Sequence, residues 1–187
     1  MKTLALSWLI VGALFFSPLL VEAQKIDMPD DFRQLLNQAG LEFFEPLEAG
    51  YHDIRLPEND YQNCQFAIRS GKEDLQIRYF VLPWNDEDPV STQPNLATFQ
   101  ALTSIATNAD DAVISAIQPG RETLQKDFNA DWGMIYFFKP KPGFSDQPFC
   151  RMIAVCKEGK GTAFVFYLFD DPGNKALDTR YLALRFL

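Results

Sequence analysis

Histidine is almost absent from this chain, since His52 is the only one among its 187 residues. A catalytic or metal site built on two imidazoles is therefore excluded. His52 lies next to Asp53 at the start of a predicted strand, where neighbouring side chains point to opposite faces, so the two do not make a catalytic dyad. We expect His52 to be a structural or surface residue.

The common catalytic and phosphate-binding motifs are also missing. The string at residues 143–146 contains a serine but lacks the second glycine of a strand–turn–helix nucleophile elbow. The string Gly159-Lys160-Gly161 lies between two predicted strands with no helix after it, so it predicts a hairpin turn rather than a phosphate loop. The sequence therefore offers no catalytic residue.

The acidic residues do not form a recognisable site. The loop at residues 84–94 is rich in Asp and Glu but lacks the turn glycine and the closing glutamate of a calcium loop. Three acidic pairs border predicted helix or strand ends, where capping and turn formation explain them. We therefore expect no metal and no cofactor. The three pairs are Asp30-Asp31, Asp110-Asp111 and Asp170-Asp171.

Cysteine is scarce, and the three present, Cys64, Cys150 and Cys156, include no Cys-x-x-Cys pair. Cys150 and Cys156 lie in one predicted strand, which holds them about 20 Å apart at ~3.3 Å per residue. A disulfide needs Cα atoms within about 7 Å of each other. A bridge would therefore join Cys64 to Cys150 or to Cys156. Three buried free thiols are the alternative, because each cysteine has apolar neighbours.

Acidic residues outnumber basic ones, which gives a formal net charge of −8. Such a surface repels phosphate backbones and anionic lipids, so we expect no nucleic-acid partner and no membrane-surface role. The charge is compatible with a cationic partner, and it also keeps an exported protein soluble. No Asn-x-Ser/Thr sequon occurs, which favours a bacterial envelope or secreted protein over a glycosylated one.

The first 23 residues have the pattern of a cleavable secretory signal peptide. Lys2 supplies the positive region, residues 4–20 are almost entirely apolar, and Val21 and Ala23 precede a cleavage site ahead of Gln24. No cysteine lies at this site to carry a lipid. We expect an exported, periplasmic or extracellular protein that is soluble and free of the membrane after cleavage. An uncleaved anchor is the alternative, at the lower limit of the ~17–25 residues that span a bilayer.

Residues 24–187 have the length of one domain, without internal repeats or low-complexity segments. Residues 132–138 and 162–169 are apolar on both faces, which predicts central strands covered by helices. Late strands joined by hairpin-like loops, with helices before and after them, predict an α+β fold with a mainly antiparallel sheet and helices packed on it. The predicted strands are 50–56, 64–69, 74–82, 112–117, 132–138, 149–157 and 162–169. The predicted helices are 32–39, 95–107 and a final one containing Leu177, Tyr181 and Leu184, while 121–128 is ambiguous between helix and strand.

The order of these elements resembles the PsbP-like α/β/α sandwich. The shared features are a strand hairpin after an N-terminal segment, a mid-chain helix, a long antiparallel meander and a closing helix that ends at Leu184-Arg185-Phe186. The resemblance covers most of residues 24–187 as an order of elements, without a signature motif. Members of that fold are largely non-catalytic accessory or binding proteins, so the resemblance implies a binding role by analogy.

Two aromatic segments are candidate contacts for a ligand or partner. Asp131 and Trp132 belong to the string 128–133, where small flanking residues would let a ligand or a backbone approach closely. The alternative is a bend or bulge, with Trp132 in the core and Asp131 bonded to backbone amides. Trp84 lies beside the acidic loop, where a tryptophan can anchor a partner.

These observations predict an exported, soluble, non-catalytic binding or accessory protein whose partner is a protein or a small ligand. One alternative is a carboxylate-based hydrolase that acts on an envelope or extracellular substrate, because acidic pairs and aromatic residues are abundant. Another alternative is an inhibitor or immunity-type protein whose acidic face meets a basic enzyme.

Overall fold

Residues 26–56 and 61–187 are described by this computed structural model. The predicted signal peptide at residues 1–23 lies outside them. None of the helices within them is long and apolar enough to cross a membrane. The strands are β1 (Leu41–Phe43), β2 (His52–Asp53), β3 (Phe66–Ser70), β4 (Leu75–Pro83), β5 (Ser115–Ile117), β6 (Trp132–Phe138), β7 (Phe149–Lys157), β8 (Gly161–Phe169) and β9 (Leu184–Phe186). The helices are α1 (Asp30–Gln38), α2 (Pro89–Thr92), α3 (Pro94–Ile105), α4 (Arg121–Thr123) and α5 (Ala176–Thr179), and α4 runs into a π-helix at Leu124–Phe128.

The main sheet is antiparallel, with the strand order β2-β3-β4-β8-β7-β6-β5. Strand β8 lies at its centre and is buried along its whole length, as its continuous apolar run predicts. Strands β7 and β8 form the predicted hairpin, in which Lys157 lies opposite Gly161. The predicted α+β class, with a mainly antiparallel sheet and helices packed on it, is confirmed.

Helix α1 covers one face of the sheet. Its buried residues Phe32 and Leu36 are four positions apart and therefore share one side of the helix. The Phe32 ring stacks on Phe66 of β3 at 5.1 Å and lies 5.9 Å from the ring of Tyr79 in β4, measured between centroids. The helix ends just before Gly40, whose positive φ of 59° turns the chain, as predicted.

Helix α3 covers the opposite face. Its buried residues Ala97, Ala101 and Ile105 repeat every four positions, which confirms the predicted mid-chain helix. They pack in one cluster with Met152 of β7 and Phe164 of β8. The sheet therefore separates an α1 core from an α3 core, each named after the helix that covers it.

The predicted final helix is wrong beyond Thr179. Helix α5 has only four residues, and the chain then extends into β9, which pairs antiparallel with β1 in a separate two-stranded sheet. The Tyr167 hydroxyl lies 2.8 Å from the carbonyl oxygens of both Arg180 and Tyr181 and donates to them. Because a longer helix would need these carbonyls as its own acceptors, the hydroxyl competes with helix continuation.

Strand β6 is less central than predicted. It is the next-to-last strand, beside the outermost strand β5, and most of its residues are only half-buried. Helices α1, α2 and α3 make their main sheet contacts with β4, β8 and β7, in the middle of the sheet. An aromatic run in a strand near the sheet edge can therefore show the same apolar sequence pattern as a central strand.

Three shorter segments differ in detail from the prediction. The predicted strand 50–56 is reduced to β2, where His52 is exposed as expected. The predicted loop 84–94 contains helix α2, because a side-chain oxygen of Asp88 accepts from the N–H of Val90 at 2.9 Å and caps it. The ambiguous segment 121–128 is helical.

Candidate functional site

Trp84 directly follows β4 and is half-buried. Its indole N–H donates to the Asp86 carboxylate at 2.7 Å, and its backbone N–H donates to the carbonyl of Lys160 at 3.1 Å. The side chain is thus held by its own acidic loop. Trp132 begins β6 at the same end of the sheet, but β8 and β7 lie between the two tryptophans, so they do not share one site.

Asp131 and Trp132 lie at the junction between the π-helix and β6. The Asp131 carboxylate accepts from the backbone N–H of Glu158 at 3.0 Å. Trp132 packs, half-buried, against the α3 core. These contacts agree with the alternative in which Trp132 packs in the core and Asp131 is bonded to backbone amides. A role of the two residues in contacting a partner stays a prediction.

The three cysteines are free thiols. Cys64 and Cys150 both pack in the α3 core, where both interact with the charge of Arg78. Burial raises the pKa of Cys64 to about 12 and also raises that of Cys150, so neither thiol ionises readily at neutral pH. Cys156 lies at the opposite end of β7 from Cys150. Both predicted bridges, Cys64 with Cys150 and Cys64 with Cys156, stay predictions.

A polar cluster joins the β3–β4 turn to the C-terminal segment. The Tyr51 hydroxyl donates to Glu73 at 2.5 Å, and Arg180 donates to the same carboxylate from Nε at 3.1 Å and from Nη2 at 2.8 Å. The side-chain amide of Asn174 donates to the backbone carbonyl of Glu73 at 2.7 Å. These bonds hold residues 174–180 against the turn.

The pKa values of this cluster follow from its geometry. Burial opposes ionisation of Glu73, but hydrogen bonds from Arg180 and Tyr51 outweigh it, so the pKa of Glu73 is lowered. The hydrogen bond to Glu73 raises the pKa of Arg180. Burial and the neighbouring carboxylate raise the pKa of Tyr51. At neutral pH the cluster therefore contains one carboxylate, one guanidinium and a neutral phenol.

Replacing Glu73 with glutamine is expected to lower the free energy of unfolding by about 1–3 kcal/mol at pH 7, the usual contribution of hydrogen bonds to a charged group. The pKa of Glu73 is lower in the folded state, so its contribution is complete above the unfolded value of about 4.3 and is lost as the pH falls through the folded value. Urea unfolding at pH 7 and near pH 2 measures this change, with the exposed Glu48→Gln as a control. An E73Q deficit of equal size at both pH values would contradict the assignment.

An acidic cavity of about 570 Å³ adjoins this cluster. Two segments bring carboxylates to it, with Glu73 and Asp74 from the β3–β4 turn and Asp170 and Asp171 from the end of β8. All of them except Glu73 are exposed, and Glu73 is paired with Arg180. Within residues 26–56 and 61–187, no group of His, Cys, Asp and Glu has the arrangement of a metal site. The cavity is a solvated depression, in which Lys72 and Lys175 lie beside the four carboxylates.

A second cavity, of about 350 Å³, shares Thr179 with the acidic cavity and is named here the Tyr79 cavity. Ile77 and Tyr79 of β4 line one side of it. Residues 44–46, after β1, and residues 179–183, between α5 and β9, line the other sides. Its volume falls in the range of about 300–1,000 Å³ that is usual for ligand pockets.

The hydroxyl of Tyr79 has no hydrogen-bond partner among the described residues, although the side chain is fully buried. The ring is fixed, because it packs against Phe32, Phe43 and Phe66 at centroid distances of 5.9, 5.4 and 5.7 Å. Burial, and then the nearby Tyr167, raise the pKa of Tyr79 well above its usual value, so it remains a protonated donor. Buried hydroxyls normally have a partner, and leaving one unpaired costs about 1–3 kcal/mol.

Sequence reasoning did not identify this site. Tyr79 shares a predicted strand face with Leu75, Ile77 and Val81, which is the usual pattern of a core strand. The opposite wall, residues 179–183, comes from a distant part of the chain and overlaps the predicted final helix. A phenol on an otherwise aliphatic buried face is the one signal that points to it.

A third feature is the exposed apolar end of the sheet at the edge strand β5. Val113, Ile114 and Ile117 are 73%, 46% and 54% exposed. Val113 lines a cavity of about 430 Å³ together with Phe137 and Phe149. In the part of the chain that the structure describes, the outer edge of β5 is unpaired, and such an edge can accept a strand. No buried, unpartnered polar side chain of that part lines this cavity, so the Tyr79 cavity is the better-defined candidate.

The candidate site thus consists of the fixed phenol of Tyr79, the guanidinium of Arg180, which is paired with Glu73, and an apolar wall. Comparisons of the chain with family models, with curated proteins and with solved structures gave no match.

Proposed function

We propose that this chain is an exported, non-catalytic binding protein and that the Tyr79 cavity holds its ligand. The observation that carries the proposal is the fully buried Tyr79 hydroxyl, which lacks a partner among the described residues and belongs to a residue that lines a cavity. A ligand that accepts a hydrogen bond from this group removes the free-energy cost of leaving it unpaired, and that gain favours binding. The predicted signal peptide, residues 1–23, supports the exported location.

The resemblance in element order supports the same role by analogy. Members of the PsbP-like sandwich are largely accessory or binding proteins. The analogy supplies no residue, so the assignment of the ligand site depends on Tyr79 and its surroundings.

A carboxylate-based hydrolase is less well supported. Such an enzyme needs two carboxyls on one cavity, one of them with a raised pKa so that it can donate a proton. The acidic cavity does collect carboxylates from two segments, but the pKa of Glu73 is lowered. Glu73 therefore acts as the ion-pair partner of Arg180. An inhibitor-type role would place a basic partner on the same acidic surface, and strong salt dependence of binding would identify it.

Replacing Tyr79 with phenylalanine tests the proposal. In the ligand-free protein we expect Y79F to raise the free energy of unfolding by about 1 kcal/mol, because it removes a buried hydroxyl without a partner. Tyr167 is the matched control, since its hydroxyl donates to two backbone carbonyls. We expect Y167F to lower the free energy of unfolding by about 1–2 kcal/mol. Urea unfolding measures both changes.

Native mass spectrometry of protein purified from the exporting cells provides the functional readout. We expect a small bound molecule on the wild type and its loss from Y79F. If Y79F is instead destabilised as much as Y167F, the Tyr79 hydroxyl already has a partner and the proposal fails.

A further inference from the structure

The Tyr79 hydroxyl has no partner among the described residues and indicates the chemistry of the ligand; this inference rests on the proposed function. The Tyr79 hydroxyl is protonated and unpartnered among the described residues. Arg180 is already engaged, because it donates from Nε and Nη2 to Glu73 and its Cζ lies 5.6 Å from the centroid of the Tyr51 ring. The Tyr79 hydroxyl therefore remains as a donor for a bound molecule.

Three backbone carbonyls along the cavity wall already accept a hydrogen bond. The carbonyls of Arg180 and Tyr181 accept from Tyr167. The carbonyl of Ala183 accepts from the N–H of Phe44 at 3.0 Å. A ligand that pairs with the buried Tyr79 hydroxyl has to bring its own acceptor oxygen.

The charges around the cavity disfavour an anionic ligand. Arg180 is paired with Glu73 at 2.8 Å, so its positive charge is balanced. Glu45 lines the wall, where one of its oxygens accepts from the N–H of Ile26 at 3.1 Å. A carboxylate or phosphate ligand would be repelled by Glu45 and by the net charge of −8. A neutral oxygen avoids this repulsion.

The remaining wall is apolar, with Phe44, Pro46, Ile77 and Leu182. We propose that the Tyr79 cavity binds a small neutral molecule with an apolar body and a carbonyl oxygen that accepts a hydrogen bond from the Tyr79 hydroxyl.

Three probes of similar size separate the contributions of the apolar body, the carbonyl and the charge. Acetophenone has an apolar ring and a neutral carbonyl, ethylbenzene has the ring alone, and benzoate carries a negative charge. We expect the purified protein to bind acetophenone about ten-fold more tightly than ethylbenzene, the equivalent of one net hydrogen bond. Benzoate is expected to bind more weakly than acetophenone. NMR titration of the protein measures the three dissociation constants.

The variant Y79F is expected to bind acetophenone and ethylbenzene equally well, while Y136F, altered in the half-buried Tyr136 of β6, keeps the wild-type ratio. Equal wild-type affinities for acetophenone and ethylbenzene at this cavity would overturn the carbonyl assignment but leave the proposed function standing. Tighter binding of benzoate would overturn the assignment of a neutral ligand. If none of the three probes shifts signals of residues that line the cavity, both this inference and the proposed function fail.

Discussion

Substituting Gly161 with alanine is expected to lower the free energy of unfolding by about 3 kcal/mol or more. Gly161 has a φ of +132°, which residues with a side chain rarely adopt. A Cβ there would lie 2.4 Å from the carbonyl oxygen of Leu82 and 2.9 Å from the Cα of Pro83. These are backbone atoms of the neighbouring strand β4, so they cannot move aside without breaking the pairing of β4 with β8. Urea unfolding measures the loss.

The matched control for this substitution is Gly71→Ala. Gly71 lies in the β3–β4 turn, where an added Cβ would meet no heavy atom within 4 Å. We expect its effect to stay within about 0.5 kcal/mol, as for most surface changes. Equal effects of G161A and G71A would mean that the hairpin does not approach β4 as closely as described.

Phe32→Ala is expected to cost about 3–5 kcal/mol, the usual loss for a large aromatic side chain removed from a core. Phe32 is fully buried and joins helix α1 to the sheet through its ring contacts with Phe66 and Tyr79. Because natural proteins are stable by only about 5–15 kcal/mol, this loss removes a large fraction of the total. The matched control is Phe99→Ala in α3, where the side chain is 64% exposed.

The Phe32→Ala substitution also tests whether the α1 core helps to position the candidate site. Without the Phe32 ring, the Tyr79 ring loses one of the contacts that fix its hydroxyl in place. We therefore expect F32A, measured at a temperature where it stays folded, to bind acetophenone more weakly than F99A does. Unchanged affinity in a folded F32A protein would show that this ring contact does not position the phenol.

The central elements of the fold could be predicted because the sequence pattern of each one lies within its own short segment. Residues 163–169 are apolar without interruption, and β8 is buried on both faces. The spacing of Phe32 and Leu36 likewise predicts α1, because burial on one side of a helix repeats with the helical period. In both segments the pattern depends only on near neighbours in the sequence.

The C-terminal segment could not be predicted in this way. The helical spacing of Leu177 and Tyr181 is real, but the chain leaves the helix because Tyr167 and strand β1 bind the residues that follow. The candidate site could not be predicted from the sequence for the same reason. Tyr79 and Arg180 meet only after folding, and the lack of a partner for a hydroxyl is a property of its three-dimensional surroundings.

The small β1–β9 sheet has a consequence for how a ligand reaches the Tyr79 cavity. It pairs Leu41 with Phe186, so it closes a very long loop with only three residue pairs. Its strands flank residues 44–46 and 179–183, the two segments that wall the cavity. Because Tyr79 is fully buried, a ligand arrives at its hydroxyl only when this wall separates. We therefore expect the opening of the small sheet to limit the release of a bound molecule, and amide hydrogen exchange at β9 measures this opening.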